Sequence, residues 1–251
     1  MLTHPILEQL LELRLLGMHR ALAEQLEMPD TNALSFEERL GLLLDRETTT
    51  RDDRRMQTRL RAAKLKQPAC VEDIDYRHRR GLDKHLMRQL AEGDYLRRKL
   101  NLLITGPTGV GKTWIACALA HKACRDGYSA RYLRLPRLVQ ELPIAKADGR
   151  YAKLLRDYAK AELLVLDDWG LMPMNDDTRR DLLEILDDRH NRKSTLVTSQ
   201  LPVEQWHDYI AEPTLADAIL DRLVHNAFKL PLKGESMRKT RADLTCGDAS
   251  E

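Results

Sequence analysis

Leu7, Leu11, Leu15, Met18, Leu22 and Leu26 recur at intervals of three and four. That spacing puts them on one face of a helix from Pro5 to Met28, with Pro5 in its first turn, where a missing N–H costs nothing. Pro29-Asp30-Thr31-Asn32 interrupts the pattern. Ser35 and Glu38 then have capping-box spacing ahead of Leu40, Leu43 and Leu44, so a second helix is expected to start near Phe36. It runs as far as Lys66, and Pro68 ends it. Its later part, Arg51 to Lys66, holds seven basic residues and few large apolar ones (Met56, Leu60, Leu65), so it is expected to project beyond a small helical bundle. The apolar stripe of residues 5–28 suits either the core of that bundle or a face for a partner.

From residue 100 the pattern changes to short apolar, β-prone runs: Leu100–Thr105, Ser129–Leu133, Leu163–Asp167, Thr195–Ser199 and Ala227–Leu232. Residues 112–126, 136–160, 176–190 and 203–224 between them carry helical periodicity. Strands alternating with helical crossovers predict an α/β fold with a five-stranded parallel sheet covered on both faces, preceded by a small all-α domain.

The composition supports a packed core, with 43% hydrophobic residues. The longest apolar runs, such as Leu163-Leu164-Val165-Leu166, fall far short of the roughly 20 residues a membrane helix needs. With no signal-peptide pattern in the first 30 residues, a cytoplasmic chain is expected. Cys70, Cys117, Cys124 and Cys246 form no CxxC pair and read as reduced thiols. The net charge of +2 conceals a strong division. Residues 1–50 hold 4 Lys/Arg against 9 Asp/Glu, residues 51–99 hold 15 against 8, and residues 100–251 hold 22 against 22.

Gly106-Pro107-Thr108-Gly109-Val110-Gly111-Lys112-Thr113 lies between a strand and a helix, the context a phosphate-binding P-loop requires. Glycines let backbone N–H groups close around phosphate oxygens, the helix N-terminus adds positive potential, Lys112 reaches the outer phosphates and the Thr113 hydroxyl ligates Mg²⁺. Asp167 and Asp168 end the next buried strand; Asp167 is expected to hold Mg²⁺ through water and Asp168 to polarise the attacking water. A second carboxylate directly after the magnesium ligand points to hydrolysis rather than transfer to a small metabolite. No Asn-Lys-x-Asp guanine signature occurs, which favours ATP over GTP. Thr198, Ser199 or Gln200, at the end of a strand beside the loop, could sense the terminal phosphate. Arg222 could act on a neighbouring subunit's ATP or form a surface ion pair with Asp217 or Asp221. Arg238 could reach the phosphates from the other side or belong to a solvated tail.

The runs GPTGVGKTWIACALAHKAC, LLVLDDWG, TSQLPVEQWH, PTLADAILDRLVHNA and LKGESMRK resemble the IstB-type transposition helper ATPases, relatives of DnaC-type helicase loaders within the AAA+ superfamily. The resemblance covers nearly the whole chain, including LEQLLELRLLGMHRALAEQ and SFEERLGLLLDRE. It implies an AAA+ core binding ATP and Mg²⁺ between subunits of a homo-oligomer, DNA binding, and delivery of DNA to a transposase. It assigns 106–113 to Walker A, Asp167 and Asp168 to Walker B, Thr198–Gln200 to sensor 1, Arg222 to the arginine finger and Arg238 to sensor 2. Two features depart from the wider AAA+ pattern. Asp168 stands where most members have Glu, one methylene longer, which suggests slow hydrolysis. The stretch after Leu232 is expected to be too short for the usual helical lid, so that the lid is absent or truncated. The organisation expected is a helical domain over 1–67 for DNA, partner or self-association, a basic linker over 68–99, the ATPase core over 100–235, and a sensor-2-like segment with a flexible tail over 236–251.

Basic residues could neutralise DNA phosphates and gain from counterion release. Arg54, Arg55, Arg59, Arg61 and Lys64 form one candidate surface, within a block that also contains Lys66, Arg77, Arg79 and Arg80. Lys146, Arg150 and Lys153, in the helical insert after the second strand, form another. Only Tyr76 and Tyr95 are aromatic within 51–99, so duplex backbone fits better than a single strand stacked on aromatic rings. A helicase loader preferring single strands is the near alternative, and a P-loop phosphotransferase the distant one.

Overall fold

The structure is a computed structural model that describes residues 5–28, 33–78 and 80–237. It forms two compact units, and the division falls at Thr58–Arg59, inside a long helix.

The first unit holds α1 (Pro5–Glu12), α2 (Leu16–Glu27) and the greater part of α3 (Phe36–Ala63). The capping box at the start of α3 forms as expected: Ser35 N donates to Glu38 Oε2 at 2.8 Å, and Glu38 N to Ser35 Oγ at 3.2 Å. The single helix expected over Pro5–Met28 is instead two, with Arg14 in the left-handed region (φ 57°) between them. The break exposes new backbone amides, and α3 caps them. Gly17 N and Met18 N donate to Glu47 Oε2 at 2.7 and 3.1 Å, and Arg51 Nε donates to the same carboxylate at 2.7 Å. Gly17 permits this approach, because a Cβ there would lie 2.5 Å from Glu47 Cα. Leu10, Gly17 and Ala21 are buried, whereas Leu11 and Leu26 of the expected stripe are exposed.

In the second unit, β1 (Asn101–Thr105), β2 (Ala130–Arg134), β3 (Leu163–Trp169), β4 (Ser194–Ser199) and β5 (Ala227–Pro231) form a five-stranded sheet in the order β2-β3-β4-β1-β5. Every pairing is parallel. Side chains alternate between its faces, as a period of two requires. Leu102, Ile104, Leu163 and Val165 join one buried cluster, which includes α6 (Lys112–Arg125). Leu103, Leu164, Leu166 and Val197 join the other, with α7 (Leu135–Ala147), α8 (Tyr151–Lys160), α9 (Asp176–Arg189), α10 (Trp206–Ile210) and α11 (Pro213–Val224). Both faces are therefore covered, and the strands read as continuous apolar runs.

The stretch before β1, expected only as a basic linker, contains α4 (Lys84–Ala91) and α5 (Asp94–Arg97). Asp83 caps α4, accepting from His85 N at 2.7 Å, and Met87 and Leu90 bury its apolar face. No helix among the described residues is long and apolar enough to cross a membrane.

Candidate nucleotide site

Parallel sheets bind ligands at the carboxyl ends of their strands, and the glycine-rich loop leaves β1 at that end. Gly106 N donates to Ser199 O at 3.1 Å, joining the loop to β4, and the Val110 side chain is fully buried beneath it. Gly111 is the N-cap of α6, at φ 96°, so the first amides of the helix point outward with no side-chain cap. Gly109 (φ 88°) also admits a neighbour: a Cβ there would lie 2.0 Å from Ser236 Oγ, and its carbonyl accepts from Met237 N at 3.0 Å. Lys112 folds back over the loop, with Nζ 2.7 Å from both Gly106 O and Pro107 O. Burial lowers the Lys112 pKa. Its ammonium is held by neutral carbonyls, partners that an anion in the loop would outcompete.

The two acids are presented by an irregularity in β3. Its register against β4 shifts between Leu166 and Trp169, and Asp168 takes φ 64°, a conformation Asp tolerates better than most residues. Asp167 is fully buried and accepts hydroxyl hydrogen bonds from Thr113 at 2.9 Å, from Thr198 and from Tyr132. The strand order explains this. With β4 between β1 and β3, Thr198 lies between the loop and the acid strand. Burial, then the hydrogen bond to Asp167, pushes the Tyr132 pKa up.

Asp168 points elsewhere. Its amide donates to Thr198 Oγ1 at 3.3 Å, and its carboxylate accepts from Arg134 Nε at 2.7 Å. Arg134 ends β2 and is the N-cap residue of α7. The exposed Gln200 accepts from Thr108 Oγ1 at 2.7 Å. A cavity of about 370 Å³ opens here, lined by Lys112, Thr113, Asp168, Thr198 and Gln200 among others, a volume within the range of ordinary ligand pockets. Thr113 and Asp167 offer one hydroxyl and one carboxylate side by side, hard oxygen donors that suit Mg²⁺ when phosphates and waters complete its shell.

Other expected residues lie apart. The Arg222 carbonyl accepts from Asn101 Nδ2 at 2.7 Å, at the start of β1 and so at the opposite end of the strand from the loop. A five-residue strand spans roughly 16 Å. Arg222 therefore does not serve its own chain's loop. Its guanidinium pairs with Asp187 and approaches Asp221 at 3.7 Å, while Asp217 contacts His207 at 3.4 Å instead. Arg238 lies outside the described residues, as does most of the segment in which a lid was expected to be missing.

On α3 and just beyond it, Arg54, Arg55, Arg61 and Lys64 are exposed, and Arg59 donates to Cys124 O at 2.8 Å. In the insert, Lys146 pairs with Asp181 at 2.7 Å and Arg150 with Asp148 at 2.7 Å, while Lys153 is exposed.

Four residues at the site escaped the sequence reading as site residues. Arg134 ends β2, whose register puts it level with Asp167, and Tyr132 lies two residues before it in the same strand. The rule that singled out the end of β4 applies equally to β2. Lys66 Nζ stands 3.8 Å from Asp167 Oδ2. Arg80, grouped by sequence with the DNA-facing basic residues, is instead buried beside the loop, because tertiary packing turns it inward. It donates to Val110 O at 3.0 Å and Asp75 O at 3.1 Å, Nε has no hydrogen-bond partner among the described residues, and burial lowers its pKa.

The family model described as IstB-like ATP binding protein matches residues 8–244. The chain is 54% identical over 241 residues to y4pL of Sinorhizobium fredii, covering 96% of this chain and 98% of that one. It is 34% identical over 213 residues to the IS21 protein of Pseudomonas aeruginosa, covering 85% and 80%. Both are named for ATP binding in an insertion sequence. Among solved structures it is similar in fold to DnaI (TM-score 0.57, 22% identity, 67% of this chain and 95% of that one). The DnaC helicase loader is also similar (TM-score 0.53, 20% identity, 66% and 97%). With its five-stranded parallel sheet and preceding helices, the chain belongs to the IstB-like ATP-binding protein family.

Proposed function

We propose that this chain is an ATP-dependent, DNA-binding regulator of transposition that assembles as a homo-oligomer on duplex DNA and delivers it to a partner transposase in the cytoplasm. The loop 106–113 receives the phosphates, Lys112 leaves its carbonyl partners for them, and Thr113 and Asp167 hold Mg²⁺, which would neutralise charge on the phosphates. Asp168 polarises the attacking water and Gln200 senses the terminal phosphate from beside Thr108. Arg222 completes the site of the adjacent subunit.

The observation that carries this reading is the divided fate of the two acids. Asp167 is fixed by hydroxyls beside the loop, while Asp168 is tethered to Arg134, at the head of the insert that bears Lys146, Arg150 and Lys153. A carboxylate needed for hydrolysis and restrained by an arginine on a candidate DNA-binding element supports slow turnover that DNA accelerates. The exposed Arg54, Arg55, Arg61 and Lys64, with Arg59 behind them, supply a second candidate contact. Repeated around an oligomer, weak contacts gain by multivalency.

Fluorescence anisotropy with labelled duplex and single strands, with and without a non-hydrolysable ATP analogue, tests the proposal. Nucleotide-dependent binding that prefers duplex and is lost in Lys112→Ala is expected. Preference for single strands would favour helicase loading, and turnover that requires a small acceptor but ignores DNA would refute the proposal.

A further inference from the structure

Lys66 belongs to the basic stretch that ends α3, yet its side chain faces the nucleotide cavity. The local backbone explains why. The helix stops at Ala63, Lys64 turns into the left-handed region at φ 51°, and the chain then crosses α6. There the backbone of Lys66 and Gln67 lies beside the Cys117 thiol. Ala63 and Ala69, on either side, are buried at 0% and 2% exposure. Just upstream, Arg131 Nη1 donates to Ala62 O at 2.9 Å and Arg59 Nε to Cys124 O at 2.8 Å. The backbone that carries Lys66 is thus held against α6 and β2.

The side chain is not held in the same way. It is 38% exposed, and its ammonium lies 3.8 Å from Asp167 Oδ2, beyond hydrogen-bond distance. That is its one ion pair among the described residues. Asp167 already accepts from Thr113, Thr198 and Tyr132, so Lys66 is not needed to satisfy it. A partly exposed pair at this distance holds a lysine only weakly. The same cavity is lined by Lys112, Thr113, Asp168 and Thr198, on the acid-strand side where the outermost phosphate sits in a P-loop site.

Resting on the nucleotide reading proposed above, we infer that Lys66 is a second phosphate-binding lysine, whose ammonium leaves Asp167 for the outermost phosphate of a bound nucleoside triphosphate. A diphosphate lacks that group. The Lys66 contact therefore forms with the triphosphate alone.

Isothermal titration calorimetry on the full chain tests this with a non-hydrolysable ATP analogue and with ADP, each with Mg²⁺. Lys66→Met is expected to weaken the triphosphate analogue about tenfold while ADP stays within about twofold, and Lys66→Arg to recover part of the loss. An unchanged melting temperature without nucleotide separates a lost contact from a lost fold. Equal weakening of both nucleotides, or of neither, overturns the inference. A wild-type chain that binds neither refutes the nucleotide reading itself, and the inference falls with it.

Discussion

Arg134→Ala removes the group that restrains Asp168. The contact is a 2.7 Å hydrogen-bonded ion pair, with side chains 45% and 20% exposed. A pair so open to solvent contributes about 1 kcal/mol at most. If that energy must be surrendered before Asp168 can turn to the water, its removal lowers the barrier by the same amount, or about fivefold in rate. Phosphate release at saturating ATP, with and without duplex DNA, is the assay. The variant is expected to raise the basal rate three- to fivefold, by the same conversion, and to reduce DNA stimulation to less than about twofold. Arg134→Lys should fall between, because an ammonium can pair with the carboxylate without the planar geometry of the guanidinium. A basal rate that falls, or one that stays put while DNA still stimulates, would refute the reasoning. It would mean that Arg134 assists Asp168 rather than restraining it.

Other perturbations test separate parts of the structure. Gly109→Ala forces a Cβ to within 2.0 Å of Ser236 Oγ at φ 88°, so a cost of about 1–3 kcal/mol is expected, read as a lower melting temperature together with weaker ATP binding. Arg222→Ala should bind nucleotide normally but lose hydrolysis, since Arg222 sits at the far end of β1 from its own loop; mixing it with Asp168→Asn should restore phosphate release, and a mixture as inactive as its components would count against action between subunits. Although burial pushes the Glu47 pKa up, hydrogen bonds from Arg51 and from the Met18 and Gly17 amides together hold it below the ordinary 4.5. A depressed carboxylate stabilises fully above that value and loses the contribution as pH falls through the folded value. Acid titration followed by circular dichroism should accordingly show helix lost at higher pH in Glu47→Gln than in wild type, and coincident curves would remove the capping role. Reversing Arg54, Arg55, Arg59 and Arg61 to Glu should weaken duplex binding and flatten its salt dependence, whereas an unchanged slope would move the contact to Lys146, Arg150 and Lys153.

What the sequence determined alone was everything set by short-range chemistry. The alternation of β-prone runs and helical stretches already implied the five-stranded parallel sheet. The Ser35–Glu38 capping box was legible because both partners lie within one turn. The glycine-rich loop was legible because a strand, a left-handed turn and a helix N-terminus must follow one another there. Asp167 and Asp168 were visible for the same reason, as polar residues ending an apolar strand.

Tertiary structure decided the remainder. The break between α1 and α2 comes with a carboxylate 30 residues away that caps the exposed amides, which no local propensity encodes. Arg80 sits among basic residues that look alike in sequence, and only packing separates the buried one from the exposed ones. Tyr132, Arg134 and Lys66 reach the acids from two distant segments, because the order β2-β3-β4-β1-β5 sets one strand end beside another and the turn after α3 lies across α6. Sequence periodicity reports which face of an element is buried; which charged side chains then share a cavity depends on strand order and long-range packing.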